Sequence, residues 1–282
     1  MSTSILKGIH RRVLGINPND QVVAPQGVMV GGEGKPAAVL AGDPNYVAIF
    51  DDFLGDLIGD AWATVEGDTG YTQGLQTGTN GVYRILSSNT GTLAPTSASA
   101  LTSGLFLNWK ANQRKAREPG RLRLSARVKL ENITRTGDRI HAFIGFSDSG
   151  GAEMPAYDTG AGVISNAADC VGFLFSPGGD TGWSLVAAKS IAGDSGDQLS
   201  VPVVAAVANT YDTLELEVFS PSGDTGATAH FWINGVKRGQ IHSPVASSVA
   251  LTPWVGMWVQ DTGDQYMDID FITISAPRDT GL

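Results

Sequence analysis

Apolar and polar positions alternate without a break through RLRLSARVKL, residues 121–130. Leu122, Leu124, Ala126, Val128 and Leu130 share one face, and Arg121, Arg123, Ser125, Arg127 and Lys129 the other. A period of two is that of a β-strand with one buried face. Runs of similar character predict further strands at 46–50 (YVAIF), 81–86 (GVYRIL), 105–111 (LFLNWKA), 140–146 (IHAFIGF) and 170–175 (CVGFLF). Others follow at 183–188 (WSLVAA), 213–219 (TLELEVF), 227–233 (ATAHFWI), 255–260 (VGMWVQ) and 267–274 (MDIDFITI). Asn234-Gly235 separates two of these runs and accepts the positive φ angles of a type I′ turn, so HFWINGVKRGQI reads as a hairpin. Short strands at this spacing predict an all-β, antiparallel two-sheet sandwich without helices. Its core would take Leu214, Leu216, Val218, Phe231, Ile233, Ile269 and Phe271, with Glu215, Glu217, Asp268 and Asp270 facing away.

Residues 1–46 break the pattern. APQGVMVGGEGKPAAVLAGDPN has no sustained period, yet the segment is more apolar than a solvated linker requires. We therefore expect an extended N-terminal anchoring arm (1–46) and a sandwich domain (47–282), the arm ordering against another surface. Its contact candidates are Ile5, Leu6, Ile9, Arg11, Arg12, Val13, Leu14, Val28, Met29 and Val30.

Composition supports the strand reading, because Gly (36) and Pro (13) favour turns over helix interiors. The net charge of −9 argues against nucleic acid as a partner. Charge is nonetheless uneven: Lys110, Arg114, Lys115, Arg117, Arg121, Arg123, Arg127 and Lys129 fall within one stretch. They form either a solvated strand face and loop or a patch that docks on an acidic protein neighbour or an anionic polymer. The lone Cys170 excludes an intramolecular disulfide and reads as a small buried hydrophobe. No apolar run is long enough to span a bilayer, and the first twenty residues lack a secretion signal, so synthesis in the cytoplasm without membrane contact is expected.

Candidate chemistry is sparse. Asp-Thr-Gly begins at Asp68, Asp158, Asp180, Asp224, Asp261 and Asp279, but none follows the apolar strand of an aspartic protease loop. The tripeptides read instead as turns that punctuate strands, several at one end of the sandwich. A glycoside hydrolase needs a carboxylate pair. The seven glutamates are scattered, and Asp268 with Asp270 reads as a solvated strand edge. His10, His141, His230 and His242 have no metal-ligand spacing, and Ser147 and Ser149 in GFSDSGG lack the glycine frame of a nucleophile elbow. Asp194, Ser195 and Asp197, or Asp261 and Asp264, offer oxygens to calcium without the spacing of an EF-hand. Of Trp62, Trp109, Trp183, Trp232, Trp254 and Trp258, most read as core, although an exposed one would suit a sugar. No catalytic, cofactor or metal residue is assigned.

Two resemblances add to this reading. TLELEVFSPSGDTGATAHFWINGVKRGQI followed by LTPWVGMWVQDTGDQYMDIDFITI resembles the later half of concanavalin A-like jelly-roll sandwiches, over roughly residues 48 to 276. FDDFLGD followed by Trp62, introduced by RRVLGINPNDQVVAPQGVMVGGEGK, resembles virion structural proteins of tailed bacteriophages. That resemblance implies a non-enzymatic capsid decoration protein. It would bind the major capsid protein through its arm, sit on the virion surface as a homotrimer, and be made in the host cytoplasm. The alternative is a tail or fibre module that recognises a host glycan.

Overall fold

In a computed structural model the described residues are 29–30, 38–39, 46–53, 62–67, 70–76, 81–89, 95–102, 107–108, 121–131, 133, 140–158, 162–177, 180–190, 201–219, 227–246, 249–260 and 263–277. They contain strands and one 3-10 turn, Pro95–Ser97, and no α-helix. In chain order the first strands are β1 (Met29–Val30), β2 (Ala38–Val39), β3 (Tyr46–Asp51), β4 (Ala63–Glu66), β5 (Tyr71–Leu75), β6 (Tyr83–Asn89), β7 (Ser99–Thr102) and β8 (Leu107–Asn108). Next come β9 (Arg121–Leu130), β10 (Ile140–Ser147), β11 (Ala156–Asp158), β12 (Val163–Ser165), β13 (Cys170–Ser176), β14 (Asp180–Ala188) and β15 (Val201–Ala205). The last are β16 (Tyr211–Phe219), β17 (Thr228–Ile233), β18 (Val236–His242), β19 (Ala250–Val259) and β20 (Gly263–Pro277).

Two antiparallel sheets form the expected jelly-roll sandwich. Sheet one runs β15-β14-β13-β10-β19-β7-β4, with β8 added to β19. Sheet two runs β18-β17-β16-β9-β20-β6-β5, with β3 added to β20. The chain crosses between them repeatedly, as at β9 to β10, β15 to β16 and β19 to β20, so their inner faces close on one core. Leu122, Leu124, Ala126, Leu214, Leu216, Val218 and Phe231 meet Ile140, Ala142, Ile144, Phe173, Phe175 and Trp183 there. Sheet edges are guarded. Gln73 on β5 donates to the Val65 carbonyl on β4 (2.9 Å), tying two edges together, while β18 carries a bulge and exposed Lys237 and Arg238.

The expected hairpin is present, with φ of 53° at Asn234 and 73° at Gly235. Asn234 Oδ1 also accepts from the Thr213 amide (2.8 Å), and its Nδ2 donates to Asp212 (2.8 Å), so the turn is pinned to β16.

Strand β20 departs from the expected alternation. Its pairing with β9 shifts between Ile269 and Phe271, leaving Asp270 as the extra residue of a bulge. Met267 and Ile269 point inward before it, and Ile272 and Ile274 after it. Phe271, expected in the core, lies opposite Arg127 and is only half-buried. The reading of Asp268 and Asp270 as a solvated edge is likewise corrected, because β20 is an interior strand and Asp268 is 2 % exposed.

The proposed border at residue 46 falls in sparsely described chain. Ile5, Leu6, Ile9, Arg11, Arg12, Val13, Leu14 and Val28 lie outside the described residues, whereas Met29–Val30 pairs with Ala38–Val39.

Candidate functional site

The outward faces of the two sheets follow from the same alternation but have different surroundings. On sheet one the outward positions are His141, Phe143, Gly145 and Ser147 on β10, Cys170, Gly172, Leu174 and Ser176 on β13, and Thr252, Trp254, Gly256 and Trp258 on β19. None is a carboxylate. The β11–β12 hairpin lies over this face and makes a second apolar cluster in which Met154, Ala156, Val163 and Ala167 cover Phe143, Leu174, Trp254 and Trp258. Trp254 Nε1 donates to the Gly151 carbonyl (3.1 Å), Asn166 Nδ2 to the Met154 carbonyl (2.9 Å), and the Met154 amide to the Pro95 carbonyl (3.0 Å). Burial pushes the Cys170 thiol up to about 12, as expected of a cysteine that serves as packing.

Ser176 pins the other end of the hairpin. Its Oγ donates to the Asp158 carbonyl (2.8 Å) and accepts from the Asp158 amide (3.2 Å), while His141 Nδ1 lies 2.7 Å away. The hydroxyl's one hydrogen goes to the carbonyl, so Nδ1 carries the proton and donates to Ser176. His141 also stacks on Trp258 (4.3 Å between centroids). A buried serine already committed as donor, facing a protonated Nδ1, is a structural clasp and not a nucleophile–base pair. Ser147 is buried at the end of β10, where it accepts the Ser149 amide (3.0 Å).

Sheet two presents a charged ladder outward. One row crosses four strands, with Arg84 on β6, Asp268 on β20, Lys129 on β9 and Tyr211 on β16 as direct neighbours. Arg84 holds Asp268 with Nε (2.6 Å) and Nη2 (2.9 Å), and Lys129 Nζ reaches the same carboxylate at 2.9 Å. Two residues along, at the bulge, Arg127 holds Asp270 at 2.5 Å. Arg123 holds Glu217 at 2.9 Å. The Arg84 guanidinium also lies 3.7 Å from the Tyr266 ring centre, and Arg127 lies 4.6 Å from that of Tyr211. The hydrogen bond to Asp268 raises the Arg84 pKa. For Lys129, burial pulls the other way, but the bond and charge of Asp268 outweigh it and the pKa is raised. Burial beside Asp268 raises that of Tyr211.

Of the basic stretch, Lys110, Arg114, Lys115 and Arg117 lie outside the described residues, and only the backbone of Arg121 is described. Arg123, Arg127 and Lys129 are brought together on sheet two, each beside a carboxylate. Arg84, Tyr211 and Tyr266 complete the ladder and were not singled out from the sequence. Outward parity was readable for Arg84, but its neighbours depend on strand pairing.

Remaining candidates are quickly placed. Trp62, Trp183, Trp232, Trp254 and Trp258 are buried, and Trp109 lies outside the described residues. Gly70, Asp158, Asp180 and Gly263 stand at one end of the sandwich, so four of the Asp-Thr-Gly tripeptides gather there. The tripeptide at Asp180 opens strand β14 and is not a loop. Those at Asp224 and Asp279 lie outside the described residues, as do Asp194, Ser195, Asp197 and Asp261. Among the described residues no group of three or more His, Cys, Asp or Glu could hold a metal ion, and no helix is long and apolar enough to cross a membrane.

No protein-family profile matches the chain, and no curated protein matches it. Solved structures do. A β-1,3-1,4-glucanase (lichenase) derived from a mouse hindgut metagenome aligns with a TM-score of 0.49 at 10 % identity, covering 80 % of this chain and 98 % of that one. Peanut lectin aligns at 0.47 and 13 % identity (82 % and 97 % covered). A carbohydrate esterase from the Shiga toxin-encoding bacteriophage phi24B aligns at 0.44 and 16 % identity (77 % and 91 % covered). The likeness is to lectin- and glucanase-type sandwiches of the concanavalin A-like kind.

Proposed function

We propose that this chain is a non-enzymatic binding sandwich of a tailed-phage particle, a capsid decoration protein anchored to the major capsid protein through its N-terminal segment. The observation that carries the non-enzymatic part is the contrast between the faces. Sheet one is free of outward carboxylates on its three central strands and sealed by its own hairpin, and the carboxylates of the sheet-two ladder are tied up in ion pairs. Glycoside hydrolysis needs two carboxyl groups about 5 to 9.5 Å apart across an open site, one of them with a raised pKa. Among the described residues, the two carboxyls that are raised, Glu131 and Asp148, both by burial, belong to different sheets at opposite ends of the sandwich.

The particle assignment is supported by the FDDFLGD stretch and the apolar, aperiodic segment before it. An anchor that binds only assembled shell would oppose disassembly by mass action, and symmetric copies would multiply the effect. The test is to delete residues 1–46 and measure binding to purified shells. The truncated sandwich should fold and lose binding, and retained affinity would remove the anchor's role.

A second reading, a glycan-recognising module, is favoured by the sheet-two ladder, where tyrosine rings and charged hydrogen-bonding groups share a half-open surface. A glycan array tests it, and the absence of any reproducible hit would count against it.

A further inference from the structure

Resting on the anchor reading, we infer that the N-terminal segment, residues 1–28, docks on its own sandwich before a shell takes it, and that its seat is an aromatic notch made by Phe50 and Phe271 on the outer face of sheet two. Among the described residues three large apolar side chains are exposed, Phe50 (55 %), Val207 (60 %) and Val236 (49 %). Both valines adjoin tight turns, where a lone apolar group is ordinary. Phe50 is different, because it lies within a strand and has a second phenylalanine beside it. It pairs with Thr273, which faces outward between the buried Ile272 and Ile274, and half-buried Phe271 is its diagonal neighbour at about 7 to 8 Å.

The notch is built by the backbone. Strand β3 pairs with β20 as far as Asp51 opposite Ile272, and β6 pairs with it from Tyr83 opposite Ile269, so no described strand is paired beside Asp270 and Phe271 on that edge. The chain leaves β3 through a turn in which the Phe53 amide donates to Asp51 Oδ1 (2.8 Å). Phe53 then enters the core against Tyr83 (5.4 Å between ring centres) at a φ of 55°, an uncommon conformation for a bulky residue. The FDDFLGD stretch thus sends its second phenylalanine inward and leaves its first outside.

The occupant follows from where residues 1–28 join the sandwich. Met29 opens β1, which pairs with β2, and β2 lies against β20. The edges of β20 are taken by β9 on one side and by β6 and β3 on the other, and its inner face is in the core, so β2 meets it from the outer side or past an end. Six residues, 40–45, join β2 to Tyr46, which keeps that meeting toward the end of β20 paired with β3. The segment before Met29 therefore starts close to Phe50 and Phe271. It carries Ile5, Leu6, Ile9, Val13 and Leu14, which gain as much from leaving water as the two rings do. Contact within one chain also acts at a high effective concentration, which favours it over a separate partner until a shell competes.

The full chain should be tested by limited trypsin digestion, following cleavage after Lys7, Arg11 and Arg12 by mass spectrometry, and by photocrosslinking with p-benzoylphenylalanine in place of Phe50. The expected crosslinks run within one chain, from position 50 to peptides of residues 1–28. Phe50→Ser should speed cleavage of the segment about tenfold, the loss of roughly half a phenylalanine's burial. Affinity for purified shells should rise by the same factor, because both quantities follow the population with the segment released. Val236→Ser removes an equally exposed side chain elsewhere and should change neither, and unchanged melting temperatures would show that both variants fold. Unchanged cleavage in Phe50→Ser with no crosslink to residues 1–28 would overturn the inference, as would crosslinks that join two chains, which would assign the notch to a second copy. Weaker shell binding by Phe50→Ser at unchanged cleavage would also overturn it and make the notch a shell contact. Each of these results leaves the anchor reading to the deletion of residues 1–46, and crosslinks within the chain beside undiminished shell binding of that deletion would keep the docking and remove the anchor.

Discussion

The outward face of sheet one and that of sheet two are produced by the same two-residue alternation, yet one is a second dry core and the other a half-open field of ion pairs. The difference lies in what the chain lays over each. Phe143, Trp254 and Trp258 are tolerable on an outer face because the segment carrying β11 and β12 returns to cover them. On sheet two the outward residues satisfy one another sideways. Arg84, Asp268 and Lys129 on three adjacent strands neutralise the charge that burial would otherwise penalise. A face closed by packing should be sensitive to shape, and a face closed by ion pairs to charge.

The sharpest way to break this comparison is at β10 and β13. A Cβ on Gly145 would strike the Val171 carbonyl and the Gly172 Cα, which are backbone atoms that cannot step aside. Gly145→Val should cost about 3 kcal/mol or more and leave little folded protein, read by circular dichroism and thermal melting. Trp254→Ala removes the side chain that the hairpin covers and should cost about 3 to 4 kcal/mol in urea denaturation. It should also make Cys170 reactive to iodoacetamide, to which the native thiol is closed.

On sheet two, Asp268→Ala leaves Arg84 and Lys129 facing each other without their shared carboxylate. Because both cations are partly solvated, a loss of about 2 kcal/mol is expected in the same denaturation assay. Arg127→Ala breaks a more exposed pair with Asp270 and should cost under about 1 kcal/mol. The ratio of these two losses measures how far burial, not charge alone, sets the strength of the ladder.

The smallest effect is in pH dependence. Burial raises the Asp148 pKa, and its buried Oδ1 has no hydrogen-bond partner among the described residues. The folded state therefore holds this proton more tightly than the unfolded one. That contribution is fully present below the unfolded pKa and is lost as pH rises through the folded value. Asp148→Asn should flatten the fall in melting temperature between acidic and neutral pH, and an unchanged slope would assign the dependence elsewhere.

Much of this architecture was legible in the residues, and what was not has identifiable causes. RLRLSARVKL announced β9, and Asn234-Gly235 announced its hairpin, because both signals are local. The bulge in β20 was present as the doublet Phe271-Ile272, where the apolar phase changes, but strict alternation hid it and sent Phe271 inward. Strand β19 begins at Ala250, earlier than expected, because Pro253 reads as a strand breaker. The proline is accommodated where β7 pairing (Trp254 onward) gives way to β8 pairing (up to Leu251). Strands β4, β5 and β7 are short and polar enough to pass as loops. The ladder was least legible of all, since Arg84, Lys129, Tyr211 and Asp268 are spread over a separation of 184 residues, and only pairing makes them neighbours.

The central claim, one sealed face and one open, is tested most directly by hydroxyl-radical footprinting of the full native chain, read by mass spectrometry. The account predicts oxidation at Tyr211 and Tyr266 with Trp254, Trp258 and Met154 protected until the protein is unfolded. Oxidation of Trp254 and Trp258 at rates like that of Tyr211 would contradict it, and would return the face of sheet one to the search for a binding site.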